Sequence, residues 1–348
     1  MKITPGKYWR MRRLADDNGR FKMLAMDQTG PIVNPIKEIR KTDKAPFEDV
    51  SAVKSMLGKY LAPKASAVLV DPPFGYAPTI AEIPARRGLL IGTEWATWEV
   101  TETGRKSSKV PGWDPAVIHT IGGDGVKVNL WYRADVSSDV KEHQLAFLNE
   151  IKKECRENDI PFILEYLVYP FPSETQEEFL ARRVDLVRGS LADKEIMDSE
   201  GVDVFKLEPP TETTNVPDPD GPEASAIQAR FDDMAKDLNR PWVLLSAGST
   251  PSDFLRLLTY AYRANASGYL AGRAIWLQPF SNFPDIAKME KELSETAPAL
   301  MDEMNALTDK MATPWTTVAP WNGAVEMAPT GETFAPDYSR QLAAGFAQ

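Results

Sequence analysis

The chain has 348 residues, of which 43% are apolar and 26% charged, a composition that is typical of a globular protein and excludes disordered, fibrous and membrane-embedded classes. It contains two histidines and one cysteine, so neither an intramolecular disulfide nor a His₃ or Cys₄ zinc site can be assembled within one chain. The formal net charge of −10 argues against nucleic acid or an anionic membrane as the main partner, although an anionic small substrate can still bind in a locally basic pocket.

The sequence carries no recognisable membrane or export signal. No run of about 18 apolar residues occurs, so no segment is expected to span a bilayer. The N-terminal stretch from Met1 to Leu14 is basic but lacks the apolar part of a signal peptide. We therefore expect a cytoplasmic protein with neither a membrane nor a nucleic acid as its partner.

Short apolar segments recur along the chain, and each is followed by a polar or glycine-rich turn and then a helical pattern. Eight segments have the length and β-branched content of buried strands, namely Phe21–Met26, Ala67–Val70, Gly88–Ile91, Gly125–Trp131, Pro161–Tyr166, Val202–Leu207, Trp242–Ser246 and Gly268–Gly272. Eight strands that alternate with helices predict a parallel sheet closed into a single-domain (β/α)₈ TIM barrel. The alternative, an open doubly wound sheet, predicts a glycine-rich fingerprint after the first strand, which AMDQTG at 25–30 does not supply.

Amphipathic patterns between these segments predict the helices of the barrel. In Asp139–Asp159 the apolar residues fall on one stripe with a period near 3.6. Glu174–Arg188 shows a similar pattern and is expected to end at Gly189. Pro251–Asn265 is expected to begin with Thr250 as its N-cap.

Three parts of the chain depart from the alternation of strands and helices, and one of them, Pro209–Pro222, is expected to be a loop after the sixth strand. Thr93–Gly123, after the third strand, is expected to be a long irregular excursion. A final helix over about Asp285–Met311 is followed by a segment rich in proline and glycine. We therefore place the barrel domain at residues 1–317 and a C-terminal tail, extended or packed on the barrel or a partner subunit, at 318–348. The tail and the acidic composition lead us to expect a homo-oligomer.

The carboxyl ends of barrel strands face the active site, so the residues there are the candidates for chemistry. Side chains alternate along a strand, and the outer face must be apolar to receive the helices. In Gly125–Trp131 the apolar positions are 126, 128 and 130, which turns Lys127 and Asn129 inward. By the same parity Glu165 and Lys206 point into the lumen. Two lysines and a glutamate are thus predicted in one low-dielectric interior.

Buried charges of this kind are costly unless they are paired, but they are useful for chemistry. Burial and a second cation both lower the pKa of a lysine, which leaves a fraction of neutral amine that can attack a carbonyl carbon and form a Schiff base. Glu165 can then move the protons that dehydration and C–C cleavage require. For any one of these residues alone, a purely structural Lys–Glu ion pair is equally compatible with the pattern.

Two aspartates also follow strands. Asp27 ends the first strand, where a substrate-binding role and a turn role are comparable. Asp71 precedes Pro72 and is expected to cap a turn.

A second pattern predicts an anion pocket at the end of the seventh and eighth strands. The seventh strand ends in Ser246, Ala247, Gly248 and Ser249. These residues run directly into the helix that Thr250 caps, so backbone amides and the helix dipole favour an anion there. Gly272 and Arg273 end the eighth strand, the other usual contributor to phosphate sites in barrels, and Arg273 is suited to bind phosphate or sulfonate oxygens. A tight turn with a surface arginine is the alternative.

The residues singled out above lie in motifs that resemble those of a known family. In chain order the motifs are AMDQTG (25–30), VLVDPPFG (68–75), VKVNLWYR (126–133), PFILEYLVY (161–169), DVFKLEPP (203–210), LLSAGST (244–250) and LAGRAIW (270–276). Together they resemble the class I tagatose-1,6-bisphosphate aldolases and the related sulfofructose-phosphate aldolases, from about Phe21 to Trp315. The resemblance implies a (β/α)₈ barrel that cleaves a phosphorylated ketose to dihydroxyacetone phosphate and an aldehyde, without a metal ion or other cofactor.

The resemblance also implies roles for individual residues. Lys206 corresponds to the Schiff-base lysine, Glu165 to the acid/base glutamate and Lys127 to the second lysine. Asp27 corresponds to the aspartate that orients substrate hydroxyls, with Gln28 beside it in the substrate-binding set.

The SAGST loop (246–250) and Gly272-Arg273 resemble the family's phosphate-binding elements. One motif departs from the family, since the usual Asp-Gln-Arg is replaced here by Asp27-Gln28-Thr29. The sequence is therefore compatible with a bisphosphate, a sulfo-sugar phosphate or a ketose with only one anionic end.

Two other classes of function are compatible with the same residues. A magnesium-assisted lyase or isomerase would use Asp27, Asp71, Glu165 and Glu94 as oxygen ligands, although the lumenal lysines would repel a cation. A non-catalytic sugar-phosphate-binding barrel would keep the anion pocket but has no need of Lys206 together with Glu165.

Overall fold

A computed structural model describes residues 2–95 and 99–344 of the chain. Eight parallel strands form a closed barrel and follow one another around it in chain order. The barrel strands are Phe21–Ala25, Ala67–Val70, Gly88–Gly92, Gly125–Trp131, Phe162–Leu167, Val204–Leu207, Trp242–Leu244 and Gly268–Ala271. Each agrees with its predicted segment to within two residues at either end, so the predicted (β/α)₈ barrel is confirmed.

Helices connect the strands around the outside of the barrel. The longer described helices are Pro5–Leu14, Gly30–Arg40, Phe47–Leu61, Pro115–Thr120, Ser138–Glu157, Gln176–Leu191, Ala224–Ala235, Pro251–Arg263, Arg273–Phe280, Ile286–Ser294, Thr296–Met311 and Phe334–Ala344. Short helical turns lie at Ala62–Lys64, Pro72–Tyr76, Ala77–Thr79 and Trp315–Thr317. None of the described helices is both long and apolar enough to cross a membrane.

Two helix boundaries differ from the prediction. The predicted end at Gly189 is wrong, because the helical hydrogen bonds continue beyond it and the N–H of Ala192 still donates to the Arg188 carbonyl at 3.1 Å. The predicted single helix over 285–311 is two helices that meet at Glu295. Pro298 explains the break, since it has no N–H to donate to the residue four positions earlier and its ring clashes with that carbonyl.

The barrel has an inner and an outer apolar layer. Ile163 and Val204 belong to the inner cluster, whereas Phe205 packs in the outer layer against the helices. Glu165 and Lys206 lie two residues further along the same strands as Ile163 and Val204, so they face inward as well. The strand parity predicted from the sequence is confirmed.

The amino-terminal end of the barrel is closed by both ends of the chain. Lys2–Ile3 pairs in parallel with Glu326–Met327. Trp315 and Trp321 are buried against each other, with ring centroids 4.9 Å apart, in the same apolar cluster as the inner strand residues. The described part of the tail thus packs on its own barrel, while residues 345–348 lie outside the described part.

The excursion after the third strand is more regular than predicted. It contains an antiparallel hairpin of Glu99–Thr101 and Gly104–Lys106 and the helix Pro115–Thr120, while residues 96–98 lie outside the described part. Contacts with distant parts of the chain support the hairpin. The backbone N–H of Ser107 donates to the side-chain oxygen of Gln144 at 2.9 Å, for example. A local sequence pattern does not contain such contacts, which is why the hairpin was not predicted.

Candidate active site

Glu165 joins the two inward lysines. Glu165 lies opposite Lys206 in the register of the fifth and sixth strands, and Asn129 lies opposite Glu165 on the fourth. Glu165 Oε1 is 2.8 Å from Lys206 Nζ, and Oε2 is 2.7 Å from Lys127 Nζ. Both lysines are 2% exposed and Glu165 is 5% exposed. One carboxylate therefore bridges two lysine side chains that are withdrawn from water.

Lys127 has two further carboxylate partners. Its Nζ is 2.8 Å from Asp27 Oδ2 and 2.8 Å from Glu94 Oε1. Burial acts to lower the pKa of Lys127, but the charges of Asp27, Glu165 and Glu94 raise it well above its ordinary value. The lowered pKa expected for a buried lysine in this cluster is therefore wrong for Lys127, which is held as a cation.

The pKa values of the carboxylates around Lys127 are shifted in different directions. Burial acts to raise the pKa of Asp27, whereas Lys127 and Lys206 outweigh it and lower this pKa to about 2. Burial raises the pKa of Glu94 above its ordinary value, although Lys127 opposes this. Asp27 is thus an anion at neutral pH, whereas Glu94 takes up a proton more readily than Asp27 does.

Glu94 is a member of the cluster that the predicted catalytic set did not include. The sequence suggested it only as a magnesium ligand. The sequence feature that could have identified Glu94 as a site residue is its position two residues after the third strand, Gly88–Gly92, at the carboxyl end of the barrel.

Four buried oxygen atoms beside the cluster accept no hydrogen bond from the described residues. They are Asp27 Oδ1, Gln28 Oε1, Glu94 Oε2 and Asn129 Oδ1. Buried acceptors without donors are rare and costly in folded proteins. Such a group of acceptors is suited to hydroxyl donors of a polar ligand.

The loop after the seventh strand contacts Arg273. Ser249 donates to the Ser246 carbonyl twice, from its backbone N–H at 2.9 Å and from its hydroxyl at 2.7 Å, which folds the loop tightly. Ala247 and Gly248, which lie between these two serines, have positive φ angles of 46° and 80°. A Cβ on Gly248 would lie 3.4 Å from Arg273 Nη1. The structure thus brings the two halves of the predicted anion pocket together.

The guanidinium of Arg273 is half-buried and forms no ion pair or hydrogen bond within the described ranges. Burial lowers the pKa of Arg273, and the charges of Glu165, Glu208 and Asp27 oppose this. These charges place Arg273 within electrostatic reach of the lysine cluster. The helix Pro251–Arg263 begins at the same loop, and its predicted N-cap is confirmed, since the Thr250 hydroxyl oxygen accepts the Asp253 N–H.

Gly272 allows the eighth strand to approach the first. A Cβ at this position would lie 2.4 Å from the Ala25 carbonyl oxygen and 3.0 Å from Gln28 Nε2. Only glycine fits such a close approach of backbone to backbone. Gln28 and Asp27 therefore lie next to the predicted anion pocket.

Asp71 lies in a separate buried pair. Its carboxylate accepts the Phe74 N–H at 3.0 Å, as expected for a cap, and forms an ion pair with Lys54, which also donates to the Met26 carbonyl at 2.9 Å. Asp71 is thus oriented by Lys54 and not by the Lys127 cluster. Across residues 2–95 and 99–344, no group of three or more His, Cys, Asp or Glu side chains is arranged to hold a metal ion.

The closed barrel and the buried polar cluster at the carboxyl ends of its strands define the protein as a (β/α)₈-barrel enzyme. The family model of the DeoC/LacD family aldolases matches residues 21–278, and the chain belongs to this family of aldolases, which are lyases.

Curated relatives agree with this assignment. Tagatose 1,6-diphosphate aldolase of Listeria monocytogenes is 31% identical over 329 aligned residues, which cover 91% of this chain and 96% of that protein. Tagatose 1,6-diphosphate aldolase 2 of Streptococcus pyogenes serotype M1 is 31% identical over 335 aligned residues, which cover 90% and 98%. The resemblance seen in the sequence motifs is confirmed.

Solved structures share the fold. Fructose-bisphosphate aldolase from Plasmodium falciparum superposes with a TM-score of 0.59 at 15% identity, covering 90% of this chain and 98% of that chain. An archaeal fructose-1,6-bisphosphate aldolase superposes with a TM-score of 0.52 at 14% identity, covering 87% and 99%. At these sequence identities the similarity shows a shared barrel fold and nothing further.

Proposed function

We propose that this aldolase is of class I and cleaves a phosphorylated ketose through a Schiff base on Lys206, giving dihydroxyacetone phosphate and an aldehyde. The observation that carries the proposal is that the two buried lysines have different numbers of carboxylate partners. Lys206 has Glu165 as its carboxylate partner, whereas Lys127 has three such partners. Transfer of one proton from Lys206 to Glu165 gives a neutral amine next to a cation that keeps its proton.

The steps follow from this geometry. The neutral Nζ of Lys206 attacks the ketone carbon C2, the carbonyl oxygen takes up a proton, and loss of water gives a protonated imine. Removal of the proton from the C4 hydroxyl then breaks the C3–C4 bond, and the electron pair moves into the imine to form an enamine. Protonation of the enamine and hydrolysis release dihydroxyacetone phosphate. Glu165, 2.8 Å from Lys206 Nζ, is placed to move these protons.

The residues around the lysine suit a sugar phosphate. The phosphate on C1 would be bound by the loop of Ser246–Ser249 and by Gly272 and Arg273. The unpartnered oxygen atoms of Asp27 and Gln28 would accept hydrogen bonds from sugar hydroxyls. The substrate would be of the tagatose or fructose 1,6-bisphosphate or the sulfofructose 1-phosphate type. Catalysis without metal or cofactor, a cytoplasmic location and a homo-oligomeric state stay predictions.

A trapping experiment tests the proposal. Borohydride added with dihydroxyacetone phosphate should reduce the imine and attach the three-carbon unit to Lys206, as located by peptide mass mapping. Lys206→Met should abolish trapping and cleavage, whereas EDTA should change neither. Lys54 is the internal control, because it is also buried and paired with a carboxylate but lies outside the Lys127 cluster. Modification should be absent there.

The alternatives give different results in the same experiment. Retained cleavage by Lys206→Met would exclude the Schiff base. Loss of activity with EDTA that magnesium restores would favour the metal-assisted lyase or isomerase. Tight binding of sugar phosphates without any cleavage would favour the non-catalytic binding barrel.

A further inference from the structure

Lys54 is a charged residue on the apolar face of a helix. It lies within Phe47–Leu61, and its neighbours on the same face, Val50 and Leu57, are buried in the outer apolar layer. Lys54 itself is 0% exposed, although lysine is among the residue types that are seldom fully buried. Burial of a lysine is unfavourable unless the cation is paired, so the contacts of its Nζ atom show where the charge acts.

The Nζ atom of Lys54 joins the ends of the first two barrel strands. It donates to the backbone carbonyl of Met26 at 2.9 Å and forms an ion pair with Asp71. Met26 follows the last residue of the first strand, and Asp71 follows the last residue of the second. The Met26 N–H also donates to the Leu69 carbonyl, at 2.8 Å. The peptide groups on both sides of Met26 are therefore fixed to neighbouring elements, and the second of them includes the nitrogen of Asp27.

Asp71 is a rigid partner for Lys54. Its carboxylate accepts the Phe74 N–H at 3.0 Å, and its backbone carbonyl accepts the Tyr76 N–H at 2.9 Å. A Cβ on Gly75 would lie 2.6 Å from Asp71 Oδ1, so the absence of a side chain there leaves room for the carboxylate. The position of the Lys54 Nζ atom is therefore set by a turn that has its own hydrogen bonds.

Asp27 is the residue whose direction this arrangement fixes. Ala25 belongs to the inner apolar cluster and Met26 to the outer one, so Asp27 faces inward again. Asp27 Oδ2 is 2.8 Å from Lys127 Nζ, and Oδ1 is buried without a hydrogen-bond partner among the described residues. A rotation of the peptide between Met26 and Asp27 would redirect both oxygens. The hydrogen bond from Lys54 to the Met26 carbonyl opposes that rotation.

Charge also connects the pair of Lys54 and Asp71 with Asp27. Burial acts to raise the pKa of Asp27, whereas Lys127 and Lys206 lower it to about 2. The charge of Lys54 acts in the same direction as these two lysines. Burial raises the pKa of Asp71, the ion pair with Lys54 opposes this, and the charge of Asp27 adds to it. The pair and Asp27 therefore lie within electrostatic reach of each other.

We propose that Lys54 is a positioning residue for the aldolase reaction: by binding the Met26 carbonyl it directs the Asp27 carboxylate towards Lys127 and the hydroxyl groups of the bound ketose. Asp71 in turn holds Lys54 in place. The inference rests on the proposed function, because it assumes that Asp27 accepts hydrogen bonds from sugar hydroxyls. It assigns a part in substrate orientation to a helix on the outside of the barrel.

The test replaces the ion pair by a neutral pair. Lys54→Met alone would leave the Asp71 carboxylate buried without a cation, which destabilises a folded protein, so it is combined with Asp71→Asn. The double variant should unfold in urea with nearly native stability. Its kcat/KM should fall about 10- to 100-fold for the ketose phosphate that the native protein cleaves fastest, as expected when a group that orients the substrate is slightly displaced. Lys54→Gln with Asp71→Asn keeps a neutral donor and should lose less, and it takes the place of the methionine variant if that variant does not fold.

Asp27→Asn shows whether Lys54 acts through Asp27. If it does, replacing the pair in the Asp27→Asn background should lower kcat/KM by no more than about a further twofold, because residues that act together are not additive. A purely structural role would give the same fold loss in both backgrounds. Lys7→Met with Asp203→Asn is the matched control, since it replaces another buried pair, 3.0 Å apart, at the amino-terminal end of the barrel. This control should keep the native kcat/KM.

The outcomes separate this inference from the proposed function. Equal losses with and without Asp27, no loss from the neutral pair, or the same loss in the control would overturn the role of Lys54 while the native protein still cleaves ketose phosphates. A native protein that neither cleaves these compounds nor is trapped at Lys206 with dihydroxyacetone phosphate would overturn both.

Discussion

Asp27 couples the charge of the site to the stability of the fold. Its pKa of about 2 lies below the value near 3.9 of an unfolded aspartate. The ionised carboxylate therefore contributes its full stabilisation above about pH 4, and this contribution is lost as the pH falls from about 4 towards about 2. The shift corresponds to about 3 kcal/mol of the free energy of unfolding.

Urea unfolding at several values between about pH 5 and pH 2.5 tests this expectation over that window. The free energy of unfolding of the native protein should fall more steeply with acid than that of Asp27→Asn. Asp43→Asn, which changes an exposed aspartate, should keep the native slope. Identical slopes for all three proteins would show that Asp27 is not stabilised by Lys127 and Lys206.

The alternation of side chains between the two faces of a strand explains which site residues could be predicted from the sequence. Lys127, Glu165 and Lys206 lie within strands, where alternation with apolar neighbours fixes their direction. Glu94 lies in the connection after the third strand, where no period applies. Its direction depends on tertiary contacts, among them the ion pair with Lys127 at 2.8 Å, which a local pattern does not show.

At the scale of elements, the loop after the seventh strand should be sensitive to a single methyl group. Gly248 has φ of +80°, and an added Cβ would lie 3.4 Å from Arg273 Nη1. Gly248→Ala should therefore strain the backbone and place a methyl group in van der Waals contact with the guanidinium of Arg273, inside the proposed anion pocket. We expect KM for a ketose phosphate to rise about tenfold, the size of one charge-assisted hydrogen bond, in steady-state kinetics.

Gly122→Ala is the matched control for this prediction. Gly122 has φ of +92° and nothing within 4 Å of an added Cβ. It should carry a similar cost of an alanine at positive φ, about 1 kcal/mol or more in urea unfolding, without a change in KM. A KM that is unchanged in Gly248→Ala, or raised equally in both variants, would contradict a role of the loop in anion binding.

The strands were easier to predict than the connections because their signal is local. Buried apolar runs bounded by turns mark all eight barrel strands. The hairpin of Glu99–Thr101 and Gly104–Lys106 depends on contacts with Tyr169 and Gln144, which come much later in the sequence. The break between the final helices was visible in principle, since Pro298 lies one turn past the end of the first.

At the scale of the whole molecule, the two ends of the barrel differ in chemistry. The carboxyl end holds the lysines and carboxylates, and the amino-terminal end is sealed by apolar side chains from both chain termini. Stability and activity should therefore respond to different substitutions. The boundary between barrel and tail at residues 317 and 318 stays a prediction.

Trp321→Ala tests this separation of the two ends. Trp321 is 3% exposed and packs edge to face on Trp315 beneath the inner strand residues. Its removal should lower the free energy of unfolding in urea by about 3 to 5 kcal/mol, the usual cost of deleting a buried aromatic side chain. Trp9→Ala, which removes a tryptophan that is 57% exposed, should cost little. The folded Trp321→Ala protein should keep its KM and its borohydride trapping at Lys206, because the deleted side chain lies at the opposite end of the barrel. A raised KM at native stability would show instead that the tail acts on the site.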